Sequence, residues 1–116
     1  MSRYLKVLKK IDKEMTAKGY VLTGAGDGED WISSKDHKKT DLYAWATQCD
    51  IGALSYEDIK ENRQLDNRIS FYLVYGNAMY ETISDMGHNT DKASKDADEV
   101  ADKVAEHFEK MHREYA

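Results

Sequence analysis

Few side chains in this sequence have the type and spacing that catalysis requires. Cys49 is the single cysteine; Gln48 and Asp50 flank it, and no nearby residue supplies the base that a nucleophilic thiol needs. We therefore expect Cys49 to be a buried core residue, as free cysteines commonly are. His107 and His112 are five positions apart, about 140° around a helix, so they cannot share a metal ion. The sequence predicts a protein that is not an enzyme, with no metal site and no cofactor.

A glycine-rich segment at residues 24–28 has the composition of a phosphate-binding loop. Such a loop must lead directly into the N-terminus of a helix, whose backbone N–H groups face the phosphate. Here Glu29 and Asp30 follow instead, and two carboxylates would repel a phosphate. We therefore predict a flexible loop between two short paired strands, at residues 20–23 and 30–33.

The acidic side chains near the C-terminus have the most regular spacing. They are Asp98, Asp102, Glu106 and Glu109. Intervals of four, four and three residues place them on one helix face, roughly 6, 6 and 4.5 Å apart along the axis. Phosphates along a nucleic-acid strand have similar spacing, so this row can imitate a phosphate backbone before a basic cleft. The alternative is an ordinary solvated face, because Lys103 follows Glu99, and Lys110 follows Glu106, at the favourable i,i+4 spacing.

The composition fits a small soluble protein. With 116 residues, 34% of them charged and 41% hydrophobic, residues 1–116 are expected to form one domain with a real core. The net charge is +4 over residues 1–19 (6 basic, 2 acidic), −5 over 20–84 (6 and 11) and −4 over 85–116 (5 and 9), giving −5. This balance argues against direct binding to nucleic acid. Neither a membrane-spanning run nor an apolar signal core occurs, so we expect a cytoplasmic protein without membrane contact.

Two amphipathic helices are predicted near the ends of the chain. The first covers residues 3–18, where apolar residues recur at helical spacing and Gly19 suits the left-handed position that ends a helix. The second covers residues 91–114, with apolar residues every three or four positions and Asn89 or Thr90 as the N-cap.

A β-hairpin is predicted between these helices. Residues 68–75 alternate in polarity, and 79–85 alternate again after a turn. The apolar face of the first strand carries Ile69, Phe71, Leu73 and Tyr75. We favour a three-residue turn over a two-residue one, because it pairs Tyr75 with Met79 and Phe71 with Ile83 and gathers the apolar side chains on one face.

Residues 40–66 fit more than one structure. We favour a helix over 41–50, capped by Thr40, and a short strand over 53–56, although alternation fits a strand over 43–49 equally well. In another alternative, Ser55 caps a helix that begins at Tyr56. Strands between two terminal helices predict an α+β fold, an antiparallel sheet of three to five strands packed against N-terminal and long C-terminal amphipathic helices.

Aromatic residues form a second candidate surface. The chain has eight tyrosines and two tryptophans. Tyr72 falls on the hairpin face opposite Phe71, and with Val74 and Tyr80 it gives that face the character of an interface. We expect a helix of the same chain to cover it, and a partner or a second copy is the alternative.

One resemblance to known proteins rests on two short segments and the charged helix that follows them. The segments are residues 74–77 (Val-Tyr-Gly-Asn) and 80–85 (Tyr-Glu-Thr-Ile-Ser-Asp). Over 68–116 the chain resembles small uncharacterised proteins that phages and plasmids carry. The resemblance implies binding to host machinery, including restriction or CRISPR-type defence complexes.

Together these features predict a non-enzymatic binding protein, a phage-type inhibitor of the anti-CRISPR or anti-restriction kind. It would occupy a basic surface of a host complex that handles nucleic acid, in the host cytoplasm. The predicted partner-binding residues are Asp98, Asp102, Glu106, Glu109, Tyr72 and Tyr80. The alternative function is an accessory α+β domain that homodimerises through its hairpin face and binds a small ligand.

Overall fold

A computed structural model describes residues 3–58, 67–77, 80–107 and 111–113 of the chain. These residues contain three helices and six strands. Side chains are described for residues 4–58, 67–75 and 83–107. The helices are α1 (Arg3–Ala17), α2 (Lys39–Ala46) and α3 (Asp91–His107). The strands are β1 (Val21–Gly26), β2 (Trp31–Ser33), β3 (Ile51–Asp58), β4 (Asn67–Asn77), β5 (Tyr80–His88) and β6 (Met111–Arg113).

The strands form one sheet in the order β2-β1-β3-β4-β5-β6. Neighbours among β1 to β5 are antiparallel, and the three residues of β6 pair in parallel with β5. The predicted α+β class is therefore confirmed, with the N-terminal and C-terminal helices packed on a mainly antiparallel sheet.

All three helices bury their apolar sides in one core on the same face of the sheet. The helical residues are Val7, Leu8, Ile11 and Met15 in α1, Leu42, Tyr43 and Ala46 in α2, and Ala93, Ala97, Val100, Ala101 and Val104 in α3. The sheet contributes Leu22, Ala25, Leu54, Tyr56, Ile69, Phe71, Leu73, Tyr75 and Ile83. Burial of each large apolar side chain contributes about 1.5–3 kcal/mol. This shared core holds the helices to one face and leaves the other face to different residues.

The predicted N-terminal helix and the predicted start of the C-terminal helix are confirmed to within one residue. α1 ends at Ala17, and Gly19 beyond it has a φ of +92°, the left-handed conformation that glycine adopts without strain. At the start of α3, the Thr90 hydroxyl accepts a hydrogen bond of 3.0 Å from the backbone N–H of Ala93, so Thr90 is the N-cap.

The C-terminal helix is shorter than predicted. We expected helix over 91–114, but α3 ends at His107 within the described residues, and 111–113 form a strand. The backbone groups of Glu81–Ile83 at the edge of β5 offer hydrogen bonds to a further strand, and β6 takes them. Spacing of apolar residues alone does not reveal this competition.

The hairpin prediction is right about the buried face and wrong about the register. All four predicted apolar residues of β4 are buried, as is Ile83 of β5. However, Leu73 lies opposite Ile83, and Phe71 lies opposite Met86. The predicted partner of Tyr75, Met79, lies outside the described residues.

Two irregularities in the β4–β5 pairing explain the register. The pairing shifts between Tyr72 and Leu73 and again between Val74 and Asn77. A β-bulge inserts an unpaired residue into one strand and so shifts every pairing beyond it. Here Ile83 and Met86, three residues apart in β5, lie opposite Leu73 and Phe71, which are two residues apart in β4. Sequence alternation therefore identifies the buried face without locating the partner of each residue.

The ambiguous central segment contains both a helix and a strand. α2 spans Lys39–Ala46, which confirms the favoured helix, although it ends before the predicted residue 50. Its first turn is closed by Asp41, whose Oδ2 accepts a hydrogen bond from the backbone N–H of Lys38, rather than by Thr40. β3 is longer than the predicted strand, and the alternative helix beginning at Tyr56 is wrong.

A buried carboxylate connects α1 to α2 and β3. Asp12 is 7% exposed. Its oxygens accept hydrogen bonds from the hydroxyls of Tyr43 (2.9 Å) and Tyr56 (3.0 Å) and from Nζ of Lys39 (2.8 Å). An ionised carboxylate is expensive to bury without such donors. Asp12 therefore fixes the position of α1 relative to both neighbours.

We expect Asp12→Ala to lower the free energy of unfolding by about 3 kcal/mol, because it leaves two buried hydroxyls without an acceptor and removes the partner of Lys39. Urea denaturation followed by circular dichroism measures this change. Asp36→Ala, at an exposed position, is the control and should change stability by less than about 0.5 kcal/mol. Equal effects of the two substitutions would contradict the role given to Asp12.

Candidate binding surfaces

The acidic residues predicted to bind a partner lie on the outer side of α3. Asp98, Asp102 and Glu106, here called the acidic row, are all exposed. Ala97 and Val104 on the other side of the helix are completely buried. Glu109 lies outside the described residues. The structure thus brings three of the four predicted carboxylates to one exposed helix face.

Glu99 and Lys103, which the sequence suggested as an i,i+4 pair, have other partners in the structure. Glu99 pairs with Lys18, just beyond α1, and Lys103 pairs with Glu14 of α1 at 3.4 Å. Lys92 pairs with Asp96 at 2.6 Å. Lys92 and Lys103 therefore form their ion pairs on the flank of α3 that faces α1 and Tyr20, and not with carboxylates of the acidic row. The predicted partner of Glu106, Lys110, lies outside the described residues.

Asp96 anchors that flank of α3. It is 8% exposed and accepts hydrogen bonds from the hydroxyl of Tyr20 (2.7 Å) and Nζ of Lys92 (2.6 Å), while Lys18 Nζ lies 3.8 Å away. Burial raises the pKa of Asp96, but the two hydrogen bonds and the nearby lysine charges outweigh it, so the pKa lies below its ordinary 3.8. Burial, together with the Asp96 carboxylate, raises the pKa of Tyr20.

Basic side chains occupy the outer side of the neighbouring helix. Lys6, Lys9, Lys10 and Lys13 of α1 line a concave surface of about 320 Å³ together with His107. On the helical side of the molecule, the outer surface of α1 is therefore mainly basic, and the acidic row lies on the outer surface of α3. A partner that docks on the acidic row must accommodate the lysines of the neighbouring helix.

The second candidate surface is the face of the sheet opposite the shared core, here called the open face. It carries Trp31, Ile51, Ala53, Tyr72 and Val74, whose register pairs Ala53 with Tyr72 and Ile51 with Val74. Trp31 is 50% exposed and Ile51 is 47% exposed. The three described helices all pack on the other face, so the expected helical cover over Tyr72 is wrong for them. For Tyr80 the structure describes the backbone in β5 and not the side chain.

Glycine residues of β1 give Trp31 its position. A Cβ atom on Gly26 would lie 3.0 Å from Cε2 of Trp31, so the indole ring rests directly on the glycine backbone. The Trp31 ring also meets Tyr72 edge-on, with centroids 6.3 Å apart. Gly24 and Gly26 therefore belong to a strand and seat an aromatic ring, whereas the sequence suggested a flexible loop. A pair of short strands does form here, as β1 with β2, but residues 24–26 pair with 31–33, whereas we expected residues 20–23 to pair with 30–33.

The turn between β1 and β2 is held by Asp27. Its Oδ1 accepts hydrogen bonds from the backbone N–H groups of Asp30 (2.9 Å) and Glu29 (3.0 Å), and its Oδ2 accepts one from Nε2 of Gln48 (2.7 Å). These bonds hold the pKa of Asp27 below its ordinary 3.8. Trp45 donates its indole N–H to the carbonyl of Asp30 at 3.0 Å. The turn is thereby tied to the end of α2.

A cleft lies beside this turn. It has a volume of about 410 Å³ and is lined by Asp27, Gly28, Glu29, Cys49, Asp50 and Ile51. A smaller pocket of about 170 Å³ on the open face is lined by Gly26, Gly28, Trp31, Ile51, Ala53 and Tyr72. The two share Gly28 and Ile51 as lining residues and therefore adjoin each other; together they are here called the groove. Cys49 is exposed in this groove, so the prediction of a buried cysteine is wrong; α2 ends before it, and the residue falls in the connection to β3.

Metal-binding groups do not converge in the part of the chain that the structure describes. His37, His88 and His107 are exposed, and no group of three or more His, Cys, Asp or Glu side chains is placed there to hold an ion. None of the helices among these residues combines the length and apolar character needed to cross a membrane.

No protein-family model matches this chain, and neither a curated protein nor a solved structure is significantly similar to it. What the protein does is therefore inferred from its own residues.

We expect Asp96→Asn to reduce the pH dependence of stability in acid. A carboxyl whose pKa is lowered on folding stabilises the native state above its unfolded pKa, and this contribution is lost as the pH falls through the folded value. At pH 7 the variant should be less stable than the wild type by about 2 kcal/mol. The difference should narrow as the pH falls below about 4. Urea midpoints at pH 7, 5, 4 and 3 measure it, with Asp36→Asn as the control, and a difference that does not change with pH would contradict the assignment.

Proposed function

We propose that this chain is a non-enzymatic binding protein that occupies a basic protein surface with the acidic row of α3. One observation carries the proposal. Asp98, Asp102 and Glu106 are all exposed on one face of α3, whereas Lys92 and Lys103 pair with carboxylates on the flank that faces α1 and Tyr20. Lys95, three residues before Asp98, lies at the N-terminal end of the same face.

The fixed position of α3 favours binding of this kind. Its small and branched residues are completely buried against the sheet, and Asp96 ties it to Tyr20 and Lys18. A row of charges on an element that is already ordered loses little conformational entropy when a partner binds. Its field also accelerates encounter with a basic surface and weakens with added salt.

The class of partner follows from the spacing of the carboxylates. Successive members of the row are separated by about 6 Å along the helix axis, which is close to the spacing of phosphates on one nucleic-acid strand. A protein groove that binds nucleic acid is basic and accepts charges at that spacing. Within this proposal the partner is a host complex that handles nucleic acid, the chain acts as a phage-type inhibitor of restriction or CRISPR-type defence, and it acts in the host cytoplasm.

We expect the tagged protein to retain a partner from bacterial lysate at 50 mM salt and to lose it at 500 mM, because exposed charges are screened at high ionic strength. The double variant Asp98→Asn/Glu106→Gln should bind about tenfold more weakly, since two exposed ion pairs together contribute roughly 1.4 kcal/mol. Affinity capture followed by titration of the purified partner measures both effects.

The matched control is Asp36→Asn/Glu57→Gln, which removes the same charge and the same chemical groups at positions away from α3. It should bind as the wild type does. If both double variants lost the same amount of binding affinity, net charge alone would explain the loss, and the proposal would be overturned. A homodimer in light scattering that is insensitive to salt, with no captured partner, would instead support the alternative of an accessory domain that homodimerises through its hairpin face.

A further inference from the structure

We propose a second binding site, independent of the acidic row, in the groove where the β1–β2 turn meets the open face of the sheet. Its ligand is the side chain of an arginine in a basic peptide segment. The groove comprises two adjoining depressions, the aromatic pocket of about 170 Å³ and the cleft of about 410 Å³, which share Gly28 and Ile51 as lining residues.

The aromatic end of the groove offers a surface for a planar cation. Half of the Trp31 side chain is exposed, and its ring is held in place by the glycine beneath it and by Tyr72 at its edge. A guanidinium over the face of an indole is attracted by the negative potential of the ring. Ile51, 47% exposed beside the ring, offers apolar contact to the methylene groups of an arginine.

The other end of the groove is acidic. Asp27, Glu29 and Asp50 line it, and no lysine or arginine is among its lining residues. Asp27 is occupied by the turn, whereas no hydrogen bond or ion pair within the described residues engages the carboxylates of Glu29 and Asp50. These two groups are the complementary charges for a cation that enters along the aromatic end.

Arginine satisfies both ends of the groove better than lysine does. Its guanidinium is planar, stacks on aromatic rings, and donates paired hydrogen bonds to a carboxylate. A lysine ammonium is a more strongly hydrated point charge and loses more on leaving water. An uncharged apolar ligand would use the aromatic end and leave the carboxylates unused.

Internal hydrogen bonds hold the turn that forms one wall of the groove. Gln48 holds the Asp27 side chain, and Trp45 holds the carbonyl of Asp30, so the turn is fixed to α2. A preformed site binds without the cost of ordering a loop. This is a property expected of a recognition site rather than of an accidental depression.

The experiment titrates the ¹⁵N-labelled protein with the blocked peptide acetyl-Gly-Arg-Arg-Gly-amide and follows amide and indole N–H signals by NMR. Two matched peptides replace both arginines by lysine or by citrulline, which keeps the shape of arginine and removes its charge. We expect the arginine peptide to cause chemical-shift changes at Trp31, Gly28 and Ile51. The lysine peptide should bind with an affinity at least about fivefold lower. The citrulline peptide should cause no saturable chemical-shift changes.

Protein variants separate this site from the proposed function. Glu29→Gln/Asp50→Asn should weaken the arginine peptide about tenfold, and Trp31→Phe should weaken it severalfold while keeping an aromatic ring. Asp98→Asn/Glu106→Gln should leave this binding unchanged, so the groove and the acidic row can fail separately.

Three results would overturn the inference. The first is that the citrulline peptide binds as tightly as the arginine peptide, which would mean that the groove does not recognise the positive charge. The second is peptide shifts confined to α3. The third is shifts of Trp31 and Ile51 that depend on protein concentration without peptide, since the occupant of the groove would then be a second copy of the chain.

Discussion

Two buried carboxylates determine how the helices lie on the sheet. Asp12 and Asp96 each lie at a helix surface that faces the core, and each needs hydrogen-bond donors because water is excluded there. Tyrosine hydroxyls supply most of the buried donors, and lysine ammonium groups complete each set from the more exposed side. Apolar contact alone allows helices to slide, whereas a charge with several fixed donors allows few positions. The orientation of α3, and with it the direction of the acidic row, follows from this requirement.

The sequence was sufficient for features that depend on local periodicity. α1, the start of α3 and the buried face of β4 follow from apolar spacing together with Gly19 and Thr90, since caps and alternation act within a few residues. Features that depend on competition between distant segments were not predictable in this way. The register of β4 and β5 depends on bulges, and β6 forms because β5 offers it an edge.

Of the candidate surfaces, the acidic row was predictable from spacing. The groove was not, because Trp31, Ile51 and Asp50 come together only when β1, β2 and β3 pair; the glycines two residues apart in β1 were its one local signal.

The two proposed sites lie on different sides of the molecule and share a preference for positive charge. The acidic row lies on the outer surface of the helices, and the groove lies at the end of the sheet nearest the β1–β2 turn. A basic partner large enough to reach both would bind more tightly than either contact predicts, because the second contact forms at a high effective concentration. The lysines on the outer side of α1 would limit which partners can do so, since they repel a uniformly basic surface.

The exposed position of Cys49 also affects how the protein behaves outside a reducing environment. A solvent-accessible thiol on two molecules can be oxidised to an intermolecular disulfide, which would join two chains through the wall of the cleft. Because the chain has a single cysteine, such a covalent pair cannot be rearranged into an internal bridge, and it is reversed by a reductant. The same uniqueness makes this thiol a selective attachment point for a fluorophore or spin label whose signal reports on the immediate surroundings of Asp50 and Ile51.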